Sequence, residues 1–131
     1  MEANKHEMNR FTLPLLALSA LAACATVDAR TPALAGTAVP LDQPVAVGNL
    51  VATPLAVVED SRCPINARCV RAGDLIVSTR ITGNGWTETA PLKLGEPHAT
   101  HGNTIMLSSG EPGRMAGTAQ TAPRDYRFTF E

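Results

Sequence analysis

The sequence predicts an all-β domain of about seven short strands, arranged as a small β-sandwich or a partly open barrel. Three observations carry this. Residues 74–82 alternate, with Leu75, Val77, Thr79 and Ile81 on one face and Ile76, Ser78 and Arg80 on the other. Turn-forming residues punctuate the chain, which holds ten glycines and ten prolines, a composition suited to many tight connections. No stretch shows a helical apolar period bounded by caps.

The strands follow in order. Val45 and Val47 form a short run broken by Gly48-Asn49. Residues 50–58 are apolar and β-branched, but Pro54 lacks an N–H and predicts an edge position or a bulge there. The strand over 74–82 ends at the turn Gly83-Asn84-Gly85. Trp86-Thr87-Glu88 and Leu92-Lys93-Leu94 are read as two short strands parted at Pro91. Ile105 and Leu107 point one way and Met106 the other. Tyr126, Phe128 and Phe130 alternate with Arg127, Thr129 and Glu131. These aromatics and Trp86 are needed for the core, because aromatics are only 4% of the chain. Residues 110–123 are expected to form a long polar loop.

Residues 1–23 read as a targeting leader. Lys5 and Arg10 precede an apolar run, 11–23, that is well short of the ~20 residues a bilayer span requires. Met8 is an alternative start to Met1, which would remove Glu2 and Glu7 from the leader. The run closes on Leu21-Ala22-Ala23-Cys24, which resembles the lipobox of bacterial lipoproteins. That resemblance implies a diacylglycerol on the Cys24 sulfur, cleavage before it, and a lipid anchor in a membrane. Ordinary secretion with cleavage at Ala20-Leu21-Ala22 is the alternative. Ala25 follows the cysteine where an Asp would favour inner-membrane retention, so the expectation is an outer-membrane lipoprotein facing the periplasm. Residues 24–40 are then a lipidated N-terminus and flexible tether, with a reach of about 20 Å, and 41–131 the β domain. Within the tether, Ala38-Val39 has modest strand character and docking as an edge strand is the alternative.

Charge excludes some partners. Of 11 Lys and Arg, two lie in the leader, and of 12 Asp and Glu, two do as well, so residues 24–131 keep a net charge of −1. A mixed, near-neutral chain gives no basis for nucleic-acid binding. The expected partners are the membrane, through the anchor, and an unknown envelope protein or ligand.

Three cysteines is an odd number for a small exported protein. With Cys24 committed to lipid, Cys63 and Cys69 remain as a pair in an oxidising compartment. So short a bridge contributes about 2 kcal/mol in the chain-entropy view and mainly fixes local shape. A zinc site is the weaker alternative, since four ligands are wanted and no histidine lies near. In the same segment, Asp60 and Ser61 suit acceptors for backbone N–H groups, and Gly73 suits a positive φ or a close backbone approach.

The segment Asp60-Ser61-Arg62-Cys63-Pro64, followed by Cys69-Val70-Arg71-Ala72-Gly73, resembles a family of small exported bacterial proteins with an Asp-Ser-Arg-Cys-Pro motif and a Cys-Val-Trp-Ala-Gly motif. Arg71 stands where that family usually has Trp. The likeness continues loosely into the next strand and Leu92-Lys93-Leu94-Gly95. It implies export, the disulfide and a β domain, and no reaction. Asp60, Arg62, Arg68 and Arg71 are candidate binding-loop residues, with turn capping and surface ion pairs as the competing role.

His98 and His101, three apart in an expected loop, are candidate metal ligands of copper type, with Met106 and Met115 downstream. Histidines doing nothing specific are the simpler reading, and no cofactor is expected. No Gly-x-Ser-x-Gly, His-Glu-x-x-His or phosphate loop is present. Ser108, Ser109 and Asp125 have no evident partner for catalysis. The expected function is a non-catalytic binding or structural module. A periplasmic metal-handling module, or a small hydrolase or hydrolase inhibitor, are the alternatives.

Overall fold

A computed structural model describes residues 30–131; the leader and Cys24 lie outside the described residues. The domain is all-β, with two antiparallel sheets. The strands are β1 (Val45–Val47), β2 (Leu50–Asp60), β3 (Leu75–Gly83), β4 (Trp86–Lys93), β5 (Pro97–Thr100), β6 (Asn103–Glu111) and β7 (Arg127–Phe130). One sheet has the order β1-β2-β3-β4 and the other β5-β6-β7. A single 3-10 turn, Pro123–Asp125, precedes β7.

The core lies between the sheets. Leu75, Val77 and Ile81 from β3 and Leu92 from β4 meet Ile105 and Leu107 from β6 and Phe128 and Phe130 from β7. The period-2 pattern read over β3 is the one buried here, with Thr79 buried beside its apolar neighbours and its hydroxyl donated to the Val77 carbonyl. Tyr126 stacks on Phe128 with ring centres 5.6 Å apart.

The chain changes sheets at Leu94-Gly95. Leu94 donates its N–H to the Leu75 carbonyl in one sheet, and Gly95 donates to the Leu107 carbonyl in the other. Gly95 has a φ of 78°, which a side chain would make costly.

Both interior prolines sit where no ladder bond is lost. β1 covers β2 only as far as Ala52, so Pro54 lies on an effective edge, and a register shift follows it at Ala56. The Pro54 carbonyl accepts the Asp42 N–H instead of a strand partner. Pro91 does not divide β4, which runs unbroken from Trp86 to Lys93 at the edge of its sheet. The tight turn makes Gly83 and Trp86 the first bonded pair, and alternation from there makes Ser78 and Pro91 a non-hydrogen-bonded pair. The missing N–H would have faced outward.

Of the two histidines expected in a loop, only His101 lies in a turn. His98 is on β5, which pairs with β6 through a two-residue turn at His101-Gly102. Both turn residues have positive φ, 45° and 73°, as the twist of a tight hairpin demands. The expected loop over 110–123 also begins later, because β6 extends to Glu111 and the next peptide bond, to Pro112, is cis.

Two residues of the stretch expected as a tether pair with the domain. Ala33 bridges Val45 in parallel, and Val39 exchanges two backbone bonds with Phe128, both at 2.9 Å. Val39 is 1% exposed and belongs to the core, so edge docking is what this stretch does. The apolar side chain fills the open flank beside β7, which outweighs the low strand character of its neighbours. Val39→Ala should accordingly cost about 2 kcal/mol in urea unfolding; an unchanged midpoint would show that residues 33–40 hang free.

Candidate functional site

The site is built where β2 ends and β3 begins. The β2–β3 ladder continues past the strands, with Ser61 N–H bonded to the Asp74 carbonyl and Cys63 N–H to the Ala72 carbonyl. The Ser61 hydroxyl accepts the Asp74 N–H at 3.0 Å, as expected of it. Gly73 satisfies both reasons for a glycine: its φ is 70°, and a Cβ there would fall on the Ser61 carbonyl. Cys63 and Cys69 are disulfide-bonded across the tip of this extension, with Cα atoms 5.8 Å apart.

Asp60 is held chiefly by side chains, with the Arg62 N–H adding the smallest contribution to its carboxylate. Arg62 Nε donates to Oδ1 at 2.8 Å and Nη2 to Oδ2 at 2.9 Å, a two-pronged pair. The Tyr126 hydroxyl donates to Oδ2 at 2.7 Å. The Asp60 side chain is 1% exposed and that of Arg62 15%, so this is a buried pair and not a surface one. Burial alone would raise the Asp60 pKa, but the Arg62 and Tyr126 hydrogen bonds and the Arg62 charge outweigh it and hold the carboxyl below its usual value. Arg62 is raised chiefly by its bond to Asp60. Tyr126 is raised by burial first and then by donating to Asp60.

The same arginine reaches the other sheet. Arg62 Nη1 donates to the Gly110 carbonyl at 2.6 Å and Nη2 to the Pro112 carbonyl at 3.0 Å. The segment after β6 answers with its own bonds. Arg114 Nη1 donates to the Arg62 carbonyl at 2.7 Å, Ile65 N–H to the Arg114 carbonyl at 2.9 Å, and Ala116 N–H to Asn66 Oδ1 at 2.7 Å. The disulfide loop and residues 110–116 therefore form one braced unit. Beside it opens a cleft of about 490 Å³, with Asp60 on its wall and Arg114, Met115, Thr118, Gln120 and Thr121 around it.

The four candidate loop residues part company. Asp60 and Arg62 pair with each other inside the domain, with Asp60 at the cleft wall. Arg68 and Arg71 are exposed, and among the described residues neither has an acidic partner. Val70 between them is fully exposed, and Ile65 is 73% exposed.

His98 and His101 lie at the opposite flank, where the edge strands of the two sheets meet. His98 Nε2 is 3.2 Å from Glu88 Oε1. His101 stacks on Trp86 at 3.8 Å between ring centres, and its Nδ1 is 2.9 Å from the Thr100 hydroxyl. Bonds from Thr100 first and His98 second hold the Glu88 carboxyl below its usual pKa. Among the described residues no three His, Cys, Asp or Glu converge as metal ligands. The Ser108 hydroxyl donates to the Thr129 carbonyl, and Asp125 lies 3.8 Å from exposed Arg124.

Sequence reasoning missed Tyr126, Arg114 and the segment after β6 as parts of the site. Tyr126 carried a usable signal, being the one core aromatic with a hydroxyl that must find a partner. Arg114 carried none.

Asp60→Asn and Arg62→Met should each cost about 3 kcal/mol, because each leaves a buried partner uncompensated. The double variant should cost less than the sum, with a coupling of about 1 kcal/mol or more. Acid should expose the same pair. A carboxyl with a depressed folded pKa adds stability above its unfolded value near ~3.9, lost as pH falls through the folded one. The urea midpoint should therefore drop below about pH 4 in the native chain and more gently in Asp60→Asn. Equal acid slopes in the two proteins would show that this carboxylate is not the group responsible. No family model, curated protein or solved structure matches the chain.

Proposed function

We propose that the chain is an exported, lipid-anchored envelope protein whose β domain is a non-catalytic binding module. The observation that carries the binding part is the braced end of the sandwich. A buried ion pair and a disulfide hold the 61–73 loop and the segment after β6 rigidly together. That rigidity presents Arg68, Val70 and Arg71 outward without internal partners, beside an open cleft. Exposed groups on a fixed frame lose little conformational freedom on binding, which favours recognition.

The anchor reading is supported by Leu21-Ala22-Ala23-Cys24 at the close of a short apolar run. The likeness to exported proteins bearing the Asp-Ser-Arg-Cys-Pro motif points the same way. In this reading Cys24 carries the lipid, the domain faces the periplasm from the outer membrane, and the partner is another envelope component. Each buried methylene contributes ~0.8 kcal/mol, so several acyl chains hold the protein at the membrane. Neither metal handling nor hydrolysis has a specific observation in its favour: His98 and Glu88 pair with each other, and Ser108 is committed to a backbone carbonyl.

Palmitate labelling in the bacterial host tests the anchor. The native chain should be labelled and sediment with membranes, whereas Cys24→Ser should be unlabelled and leave the membrane fraction. Label that persists on Cys24→Ser would refute the anchor.

A further inference from the structure

Resting on the binding-module reading, we propose that the cleft beside the braced loop is the binding site, and that it takes a short peptide segment through a carboxylate. Its volume of about 490 Å³ falls in the range of small-ligand sites, ~300–1,000 Å³. Its wall is polar main chain and side chain. Among the described residues, the N–H groups of Thr118, Ala119, Gln120 and Thr121 have no protein acceptor. Such groups must be met by water or by a ligand oxygen.

The charge at the wall is positive where it counts. Asp60 borders the cleft, but its Oδ1 takes one Arg62 donor and its Oδ2 another plus the Tyr126 hydroxyl. Its charge is matched by Arg62, and its side chain is 1% exposed. Arg114 is different. One of its nitrogens, Nη1, holds the Arg62 carbonyl, and among the described residues no carboxylate pairs with it. A guanidinium has five donors in a planar fork, so most of its capacity remains for a ligand carboxylate.

Position is fixed as well. Arg114 is held from both sides, by its own bond to the Arg62 carbonyl and by the Ile65 N–H on its carbonyl. Met115 supplies an apolar surface at the same wall, 46% exposed, which suits an aliphatic side chain next to the acid. Arg68 and Arg71, on the neighbouring loop, add an attractive field for an acidic segment. A free small anion would use the donors and leave Met115 bare; a membrane would engage Val70 and the loop arginines and leave the cleft empty.

The test is a ¹⁵N chemical-shift titration of the Cys24→Ser chain. The probes are acetyl-Ala-Leu-Glu-amide, its Gln counterpart, sodium acetate, and phosphatidylglycerol vesicles. The Glu peptide should shift amides of residues 112–121 and bind at least about tenfold more tightly than the Gln peptide or acetate, the worth of one charge-assisted pair. Arg114→Gln should weaken the Glu peptide about tenfold. Met115→Ala, which removes a half-exposed side chain at the cleft wall, should weaken it measurably and keep the native melting temperature even if Arg114→Gln does not fold. Equal binding of the Gln peptide or of acetate would overturn the proposal. So would silence of residues 112–121, or vesicle-induced shifts confined to 65–71. These results leave the anchor standing, since it is read by membrane labelling, and leave the exposed Arg68, Val70 and Arg71 as the module's other surface.

Discussion

The Asp60 carboxylate is the point at which the two sheets are tied at one end. It sits at the last position of β2, and its ligands come from the adjoining loop and from the residue just before β7. Through Arg62 it also governs the end of β6. A buried ion pair of this sort adds little net stability over an apolar replacement, because desolvation of both charges offsets their attraction. Its value lies in geometry. A carboxylate has few good lone-pair directions and a guanidinium is flat, so the pair permits one arrangement of the strands around it. A hydrophobic contact at the same place would tolerate sliding. The disulfide then finishes the shape that the ion pair sets, at the tip where packing has ended.

Local patterns made much of the sandwich legible. β3 could be read from alternation, and Pro54 marked an edge and a bulge, because both properties belong to neighbouring residues. β5 was invisible for the opposite reason. Pro97, His98, Ala99 and Thr100 have little strand preference, and they are extended because a His101-Gly102 turn folds them onto β6. Splitting β4 at Pro91 failed because the cost of proline depends on which side of the strand its nitrogen faces, and that follows from the register with β3.

The site was half legible. The motif drew attention to Asp60 and Arg62, and Gly73 announced a special backbone. Their partners lie far along the chain, Gly110 and Pro112 for Arg62 and Tyr126 for Asp60, the last two being 66 positions apart. No window contains both halves, so the residues looked like exposed loop charges until the sheets were stacked. Arg68 and Arg71 stayed on the surface because nothing distant meets them.

Pro91 bears on how the protein tolerates crowding. Molecules held close together meet edge to edge, and an open strand edge invites a second strand alongside. On β4 the outward N–H at Pro91 does not exist, and two places on, Lys93 sets its ammonium 3.1 Å from Asp74. A copy laid against this edge would lose a ladder bond at Pro91 and bring two lysines together. The proline that interrupts nothing within the fold thus interrupts the spread of the sheet from one molecule to the next.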